Sequence, residues 1–390
     1  MRRILLLLNQ IYLFFGRWFK VTYGSKIYIY SNALISEDKT FQIQEDLQYF
    51  SSNEVDLLKI EKLDWFKKFY FLLTFKPIVI LGQGYSNRQR IWLNTYNIDD
   101  DLCRVSAWSI HRLYSDIYYF NNEKSILESE SKIKWSRLKQ RLSSLDTSMV
   151  LGTGPSLISA VDYDFKQDKI IIACNTIVKS DKLWAKLRPN IIVAGDAIHH
   201  FSNTKYASSF RKDCYKRLEN DDKLVFCYPH IFHPFVLKEF YPLKNQLLPL
   251  FNRNERNPFM NFKRDLPTAA PNHNVLTMLL LPIAANISKK VYFIGFDGRK
   301  EGDEGFWESS NEYNYIEYME ELRNSYPGFF DFYVNNPKDK NEYVKNVHGD
   351  QLNEWMNNAE NSGMYLESLT PSHTATFQKR YKGAIIPQRK

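Results

Sequence analysis

The chain has 390 residues, of which 44% are apolar and 15% aromatic. This composition excludes disordered and collagen-like proteins, and it supplies enough apolar residues for two domains or for one large domain with an extension. The four cysteines (Cys103, Cys174, Cys214 and Cys227) form neither a CxxC pair nor a zinc-binding spacing. We therefore expect buried free thiols in a reducing compartment.

The formal net charge of +8 is concentrated at the two ends of the chain. Residues 1–36 and 379–390 each carry five Lys or Arg residues and no acid, so the stretch from 37 to 378 is slightly acidic. A nucleic-acid-binding protein spreads its positive charge over a recognition face. Basic ends with aromatic neighbours instead fit an anionic membrane surface, and we expect no nucleic-acid partner.

The first 20 residues read "MRRILLLLNQIYLFFGRWFK". The segment is too short and too polar to span a bilayer. It has the charged start and the apolar stretch of a signal peptide, but no A-x-A-like cleavage site follows. Two interpretations remain open: a segment lying in a membrane interface, or the first buried element of a domain.

Residues 21–145 give a weak pattern. A strand is predicted at 26–31, and a buried strand followed by a glycine turn at 77–93. The aromatic segment 63–75 is of uncertain type, and 128–145 has the spacing of a solvated helix. We interpret 21–145 as an N-terminal extension or accessory domain of uncertain fold.

A regular pattern begins at residue 146. Continuous apolar strands within 148–157, 169–178, 189–200, 223–230 and 289–299 each end in a polar or glycine turn, and 274–287 is an apolar helix. Such strands predict an α/β, Rossmann-type fold with a mostly parallel sheet covered by helices on both faces. We place this domain at 146–378, followed by a basic tail at 379–390. In these sheets, ligands bind at the carboxyl ends of the strands.

The first strand end reads Gly152-Thr153-Gly154-Pro155-Ser156. It matches neither a P-loop nor a dinucleotide fingerprint. Glycines let backbone N–H groups approach an anion, and Pro155 and Ser156 suit a helix start that favours phosphate. A purely structural turn explains the motif equally well.

Polar residues also stand at the other strand ends. Asn175 has an amide able to bond a base or a ribose, and Asp196 and Asp297 close two further strands. His273 and Asn274 precede the apolar helix, with Asn274 as its expected N-cap.

Two histidines follow, His348 in a polar loop and His373 in "LTPSHT". A lone histidine is more often structural than catalytic, but a loop before a helix is where a general base meets an incoming substrate. The polar stretch after Asp297, up to "FWESSNEYNYIEYM", is either a flap over a ligand or a surface insertion.

The order GxGPS, CN, polar strand end, polar helix cap, GxD, loop histidine and "LNEWMNNAENSGMYLESLTPS" resembles the bacterial sialyltransferases of glycosyltransferase family 42. The resemblance spans about 147–377. A looser similarity links the chain to the motility-associated-factor and pterin-diphosphokinase-like group. The first resemblance implies a GT-A-like fold that binds a CMP-sugar without an obligatory metal, and we expect no metal site and no cofactor.

The resemblance also implies roles for individual residues. The glycine turn and Asn175 would contact the cytidine nucleotide, and His348 would be the base. His273 and Asn274 would bind the donor, where the family has Thr-Ser. Tyr343 is the nearest candidate for a phosphate-binding tyrosine, although it lies two residues further from the histidine than the pattern requires. Arg299 stands where the family has a tyrosine beside the leaving phosphate, so the identity of the donor is open.

Three functions therefore compete. The first is a metal-independent, inverting glycosyltransferase that moves a sialic acid or Kdo-like sugar from a CMP donor to a glycan of the lipopolysaccharide or capsule type. It would be cytoplasmic and peripheral on the inner face of the membrane, beside a lipid-linked acceptor. The second is a pterin-diphosphokinase-like or flagellin-modifying protein, and the third a non-enzymatic envelope scaffold. The sequence leaves the oligomeric state open.

Overall fold

The computed structural model describes residues 26–31, 45–50, 56–60, 64–74, 76–81, 95–98, 103–161, 169–252, 265–267, 269, 274–298, 312–330 and 351–383. The segment 1–20 and the end of the basic tail lie outside these residues. The chain divides into two compact units. One consists of 1–126, 231–238 and 324–329, and the other of 127–230, 239–323 and 330–390.

Within its described residues, the first unit contains a four-stranded sheet with the order β2-β1-β3-β4, all parallel. Its strands are β1 (Lys26–Ser31), β2 (Asp56–Ile60), β3 (Ile78–Leu81) and β4 (Thr95–Ile98). Its helices include Trp65–Leu73 and Cys103–Asn121, and residues 45–50 are also helical. The segment 63–75, which the sequence left uncertain, is thus mainly a helix.

The second unit contains, in the described part of the chain, a seven-stranded sheet whose neighbouring strands are all parallel. The strands are β5 (Thr147–Leu151), β6 (Ile170–Cys174), β7 (Ile191–Val193), β8 (Val225–Pro229), β9 (Leu247–Leu250), β10 (Lys290–Ile294) and β11 (Tyr365–Ser368). The sheet order is β11-β10-β5-β6-β7-β8-β9. This confirms the predicted α/β fold.

Both faces of this sheet are covered. Every residue of β5, β6 and β9 is buried, and successive side chains of a strand point to opposite faces. The described α-helices that lie wholly or mostly in this unit are Lys124–Arg141, Asp181–Leu187, Lys205–Asn220, Leu281–Ile287, Met319–Ser325, Gln351–Asn361 and Ala375–Gln378; His233–Glu239 and Pro327–Phe330 lie mostly in the first unit. Continuous apolar strands therefore mark a sheet that is shielded on both sides.

Two strands of the large sheet escaped the sequence prediction, as did β2 and β4 of the first unit. β9 contains Pro249, a residue that normally argues against a sheet, but β9 lies at the sheet edge, where the missing N–H is tolerated. β11 has only four residues and follows the helix Gln351–Asn361 almost directly. Both are too short to stand out from their neighbours.

The unit boundary differs from the predicted one at 145/146. It falls at 126/127, so that most of the helix Lys124–Arg141 belongs with the large sheet. Trp135 of this helix is fully buried, and its indole N–H donates to Asn286 Oδ1 at 2.9 Å. The overall charge of this helix suggests a solvated element, but its buried side attaches it to the second unit.

The basic tail also differs from its prediction. Arg380 is buried, and its guanidinium pairs with Glu360 Oε2 at 2.6 Å and donates to Thr376 O at 2.8 Å. The carbonyl of Arg380 accepts the N–H of Ser368 at 3.0 Å. Residues 379–381 thus belong to the folded unit, and Arg380 cannot serve a membrane surface.

Three cysteines are buried free thiols: Cys174 at the end of β6, Cys214 in the helix Lys205–Asn220, and Cys227 in β8. Burial raises the pKa of Cys174 to about 12 and the pKa values of the other two thiols still further. A thiol in such surroundings stays protonated and unreactive. Within the described residues, no helix is long and apolar enough to cross a bilayer.

Candidate functional site

The candidate site lies where the strand order of the large sheet reverses. The chain adds β6 to β9 on one side of β5 and then returns to place β10 and β11 on the other side. The β5–β10 register pairs Leu151 with Ile294, so the turns that follow these strands are neighbours. A reversal of this kind opens a crevice at the carboxyl edge, where ligands bind in open α/β sheets.

The glycine turn after β5 packs directly on the backbone that follows β10. Gly152 N donates to Ile294 O, and Gly154 N donates to Gly295 O, each at 2.8 Å. A Cβ on Gly152 or Gly154 would overlap the carbonyl oxygen of Gly295, which itself has φ +79°. The two glycines are therefore required by a close backbone approach.

The N-terminal end of the short helix Pro155–Val161 binds a carboxylate of the protein itself. Ser156 N lies 3.1 Å from Asp297 Oδ1, and Ser156 Oγ donates to Asp297 Oδ2 at 2.9 Å. The sequence left two interpretations of this turn open, an anion-binding turn and a purely structural one. The structure favours the second, because the N–H groups of Gly152, Gly154 and Ser156 all have partners within the protein. Thr153 is half-buried and Pro155 exposed.

Asp297 is half-buried, and its carboxylate is bonded by Ser156. Burial raises the pKa of its carboxyl above the usual value, while the hydrogen bonds from Ser156 and the charge of His373 act in the opposite direction. A carboxyl with a raised pKa at a strand end is typical of functional sites, although structural networks also produce one.

The loop after β11 completes this part of the edge. Ser156 Oγ lies 3.0 Å from Thr370 Oγ1. Ser372 Oγ donates to Asp297 O at 3.2 Å, and His373 N donates to the same carbonyl. The His373 side chain is exposed. Because Ser156 bonds Asp297 directly, the group is not a Ser–His–Asp triad, in which the histidine stands between the two.

Asn175 is the most unusual residue of the edge. It follows β6 with φ +52°, one of two non-glycine residues at positive φ in the described chain. Its Oδ1 is buried and has no hydrogen-bond partner among the described residues. A strained backbone and an unpaired buried acceptor each cost free energy, and this combination is characteristic of binding sites.

Asn314 is bonded to Thr176, the residue that follows Asn175. Its Oδ1 accepts the hydroxyl of Thr176 at 2.8 Å, and its carbonyl accepts Lys179 Nζ at 2.6 Å. The side chain is almost fully buried, and its Nδ2 has no partner in the described part of the chain. The β6 end thus presents one unused amide acceptor and one unused amide donor.

The polar stretch before the helix Met319–Ser325 was predicted as a flap or a surface insertion. Its described part is not a surface insertion, because Tyr313, Asn314 and Tyr315 are buried. Tyr313 Oη donates to Gly154 O at 2.7 Å, which ties this segment to the glycine turn. Residues 299–311 lie outside the described part.

Asp196 and Asn274 have local structural partners. One Asp196 carboxylate oxygen accepts the N–H groups of Ile198 and His199, each at 2.8 Å. Burial lowers the pKa of the neighbouring His200 to about 3, so its imidazole is neutral. Asn274 Oδ1 accepts Leu276 N at 2.8 Å, which is the predicted cap. The helix that Asn274 opens begins with π-helical geometry, Leu276–Leu280, which is frequent at functional sites.

Four predicted site residues lie outside the described part of the chain: His273, Arg299, Tyr343 and His348. Their roles remain predictions. Within the described residues, no three His, Cys, Asp or Glu side chains are grouped as they would be around a metal ion.

Sequence reasoning missed Thr370 and Asn314. The signal for Thr370 was the polar run "LTPSHT" after a short strand, and it was lost because β11 was not predicted. Asn314 lies in the stretch "FWESSNEYNYIEYM", but nothing in the sequence singled it out, since its contact with Thr176 joins positions 138 residues apart.

Comparison of the chain with protein-family models, with curated proteins and with solved structures found no match.

Proposed function

We propose that the chain is a metal-independent, inverting glycosyltransferase that moves a nonulosonic acid from a CMP-activated donor to a hydroxyl of a surface glycan. The proposal rests on the resemblance in sequence and on the strand ends that carry it. GxGPS, CN and GxD follow β5, β6 and β10, which are neighbours in one parallel sheet. The single observation that supports it most is the strained, unpartnered Asn175.

The unused amide groups suit a nucleobase edge. Asn175 Oδ1 needs a donor and Asn314 Nδ2 needs an acceptor. Cytosine offers an amino donor beside ring acceptors. Its binding would therefore remove the free-energy cost of two buried amide groups that have no hydrogen-bond partner in the unliganded protein. The pairing of a polar site with polar ligand atoms also provides specificity, because an analogue lacking them leaves the amides unpaired.

The charge of the leaving CMP phosphate needs other partners. Since the N–H groups of Gly152, Gly154 and Ser156 are bonded internally, we assign phosphate binding to Arg299 and Tyr343. Electrostatic stabilisation of the leaving group lowers the barrier for departure from an oxocarbenium-like sugar. His348 takes the proton of the acceptor hydroxyl, a contribution of about 10²–10⁴ in rate. A single displacement inverts the anomeric centre.

A cytoplasmic location at the inner face of the membrane belongs to the same proposal. A lipid-linked acceptor would be presented there, and residues 1–36 carry five positive residues and no acid.

Binding is tested with Asn175→Gly. Glycine adopts positive φ without strain, so the variant keeps the backbone and removes only the amide. We expect CMP to raise the Tm of the wild type and the CMP affinity of the variant to fall about tenfold or more. Arg188→Gly is the matched control, because Arg188 is the other described non-glycine residue at positive φ. Stabilisation by ATP and not by CMP, or unchanged CMP affinity in Asn175→Gly, contradicts the proposal.

The base is tested by comparing two histidine variants. We expect His348→Ala to abolish transfer from a CMP-sugar and to keep the CMP-induced Tm shift. His373→Ala should retain transfer, because the described contact of His373 with Asp297 is through its main chain. Loss of transfer in His373→Ala alone would move the base to the β11 loop. A screen of CMP-sugars identifies the donor.

A further inference from the structure

The helix Trp65–Leu73 carries an exposed aromatic stripe that the proposed transferase site does not use. The stripe consists of Trp65, Phe66, Phe69, Tyr70 and Leu73, whose side chains are between 42 and 76% exposed. With about 3.6 residues per turn, these positions fall on one side of the helix. In the described chain, more than half of the large apolar side chains that are exposed lie on this one helix.

The opposite side of the same helix is fixed to its own unit. Phe71 is buried, and its ring lies 4.4 Å from the ring of Tyr28 in β1, in a cluster with Ile78 of β3. Asp64 caps the helix by accepting Lys67 N at 2.8 Å. The helix is thus anchored by Phe71 and by its cap, and the stripe faces outward because of this packing.

Positive charge borders the stripe. Lys67 is exposed on the helix. Lys76 Nζ donates to the hydroxyls of Tyr28 and Tyr70, at 3.2 and 3.3 Å, and lies 5.0 Å from the centre of the Tyr70 ring. These hydrogen bonds raise the pKa of Lys76, which stays charged. The helix itself contains two lysines and no acid, and the one exposed carboxyl group at its described N-terminal end is that of the cap, Asp64.

Aromatic residues with a basic border match an anionic bilayer surface. Trp and Tyr favour the level of the lipid head groups, and Lys contributes attraction to anionic lipids. A helix of nine residues is about 14 Å long, too short to span the membrane but long enough to lie in its plane. A contiguous exposed apolar patch marks an interaction site.

We propose that the helix Trp65–Leu73 docks the protein on anionic membranes, with the aromatic stripe in the interface and Lys67 and Lys76 at the lipid phosphates. This surface is distinct from the basic ends of the chain. It places the contact on a folded element of the first unit.

The test is co-sedimentation of the full chain with vesicles of phosphatidylcholine, with and without phosphatidylglycerol. We expect binding to the anionic vesicles that weakens with salt. The variant Trp65→Ser/Phe69→Ser should bind about tenfold more weakly or worse, because it removes two large apolar contacts. The double variant Ile133→Ser/Tyr241→Ser, at positions of similar exposure, should bind as the wild type does. Lys67→Glu should weaken binding to the anionic vesicles only.

Folding is checked in the same samples. Because Trp65 and Phe69 are exposed, the double variant should keep the wild-type Tm; a lowered Tm would show that the stripe is packed within the protein and would overturn the proposal. Trp65→Phe keeps the apolar contact, so it should bind normally but lose part of the tryptophan quenching by brominated lipid.

Two other occupants of the stripe are distinguished by the same variants. A lipid-free wild type that sediments as a dimer, together with a monomeric Trp65→Ser/Phe69→Ser variant that still binds vesicles, would assign the stripe to a second copy of the chain and overturn the proposal. Deletion of residues 1–20 should leave binding to anionic vesicles in place. Complete loss upon this deletion, with the double variant unaffected, would also overturn it. Neither result bears on CMP binding, which tests the transferase proposal separately.

Discussion

Gly154 illustrates how a residue that looks ligand-directed can serve the protein itself. A Cβ at this position would overlap Asp297 Oδ2 and come within 2.7 Å of Gly295 O. The β5 turn and the β10 turn approach so closely that only glycine fits. If substitution of Gly154 abolished CMP binding, the loss could therefore result from disruption of the packing between the β5 and β10 turns as well as from loss of a contact with the ligand.

We expect Gly154→Ala to lower the free energy of unfolding by about 2–4 kcal/mol, because the backbone of Gly295 and the carboxylate of Asp297 must both shift. Gly363→Ala is the control: it has φ +91° but open space around its Cβ, so only the backbone strain of about 1–2 kcal/mol applies. Urea unfolding measures both. Equal losses would show that the close approach has no energetic weight.

Asp297 gives a second prediction at this scale. Its carboxyl pKa is raised in the folded protein, so the native state holds a proton over a pH range in which the unfolded state has lost it. The contribution of Asp297 to stability therefore falls as the pH rises from about 4 through the raised pKa. Asn in its place keeps the shape and has no such titration.

The expected result is that the free energy of unfolding of the wild type, minus that of Asp297→Asn, decreases between pH 4 and pH 7. Urea titrations at a series of pH values give this difference. A difference that increases with pH would mean that the hydrogen bonds from Ser156 outweigh burial and lower the pKa.

At the scale of the element, Arg380, near the end of the described chain, links the helices Gln351–Asn361 and Ala375–Gln378. Arg380 donates to Glu360 in the first helix and to Thr376 O in the second. Its main chain also pairs with β11 through Ser368 N. The buried guanidinium of Arg380 thus joins the two helices, and its main-chain carbonyl joins them to the edge strand of the sheet.

We expect Arg380→Ala to cost about 2–3 kcal/mol of stability, since it leaves Glu360 and a buried carbonyl without this partner. The value lies below that of a fully buried pair, because the Glu360 side chain is 35% exposed. Lys379→Ala is the control at the adjacent exposed position, where we expect little change. Thermal unfolding of both variants provides the measurement. A loss of stability no larger than that of the control would contradict the proposed link between the two helices.

The elements also show what the sequence predicts well. β6, β8 and β10 each form within the predicted segment, and β5 begins one residue before its own. β7 is shorter than its prediction, because the chain turns at Ala194–Asp196 and caps itself through Asp196. β11 was missed, and Thr370 with it, because four residues carry too little periodicity.

At the scale of the whole molecule, the site depends on chain order in space. Gly152, Asn175 and Asp297 could be selected from the sequence, since each follows a predicted strand. The sequence does not contain the strand order, so the pairing of β5 with β10 and the capture of the turn by Asp297 were not predictable. Asn314 reaches the same edge only through the fold. Local patterns thus identify the strand ends, and topology decides what each end contacts.

The buried thiols allow local unfolding of this protein to be measured by chemical modification. Cys174, Cys214 and Cys227 lie in three different elements, and each is sealed from solvent. A thiol reagent modifies such a group only when its element opens, so the rate of modification gives a local opening free energy. In a Cys103→Ser background, read by mass spectrometry, we expect Cys174 in the centre of the sheet to react only through global unfolding, with a rate that falls when CMP is added. Modification of Cys174 that is insensitive to denaturant would instead reveal a small local fluctuation at the β6 end, beside Asn175.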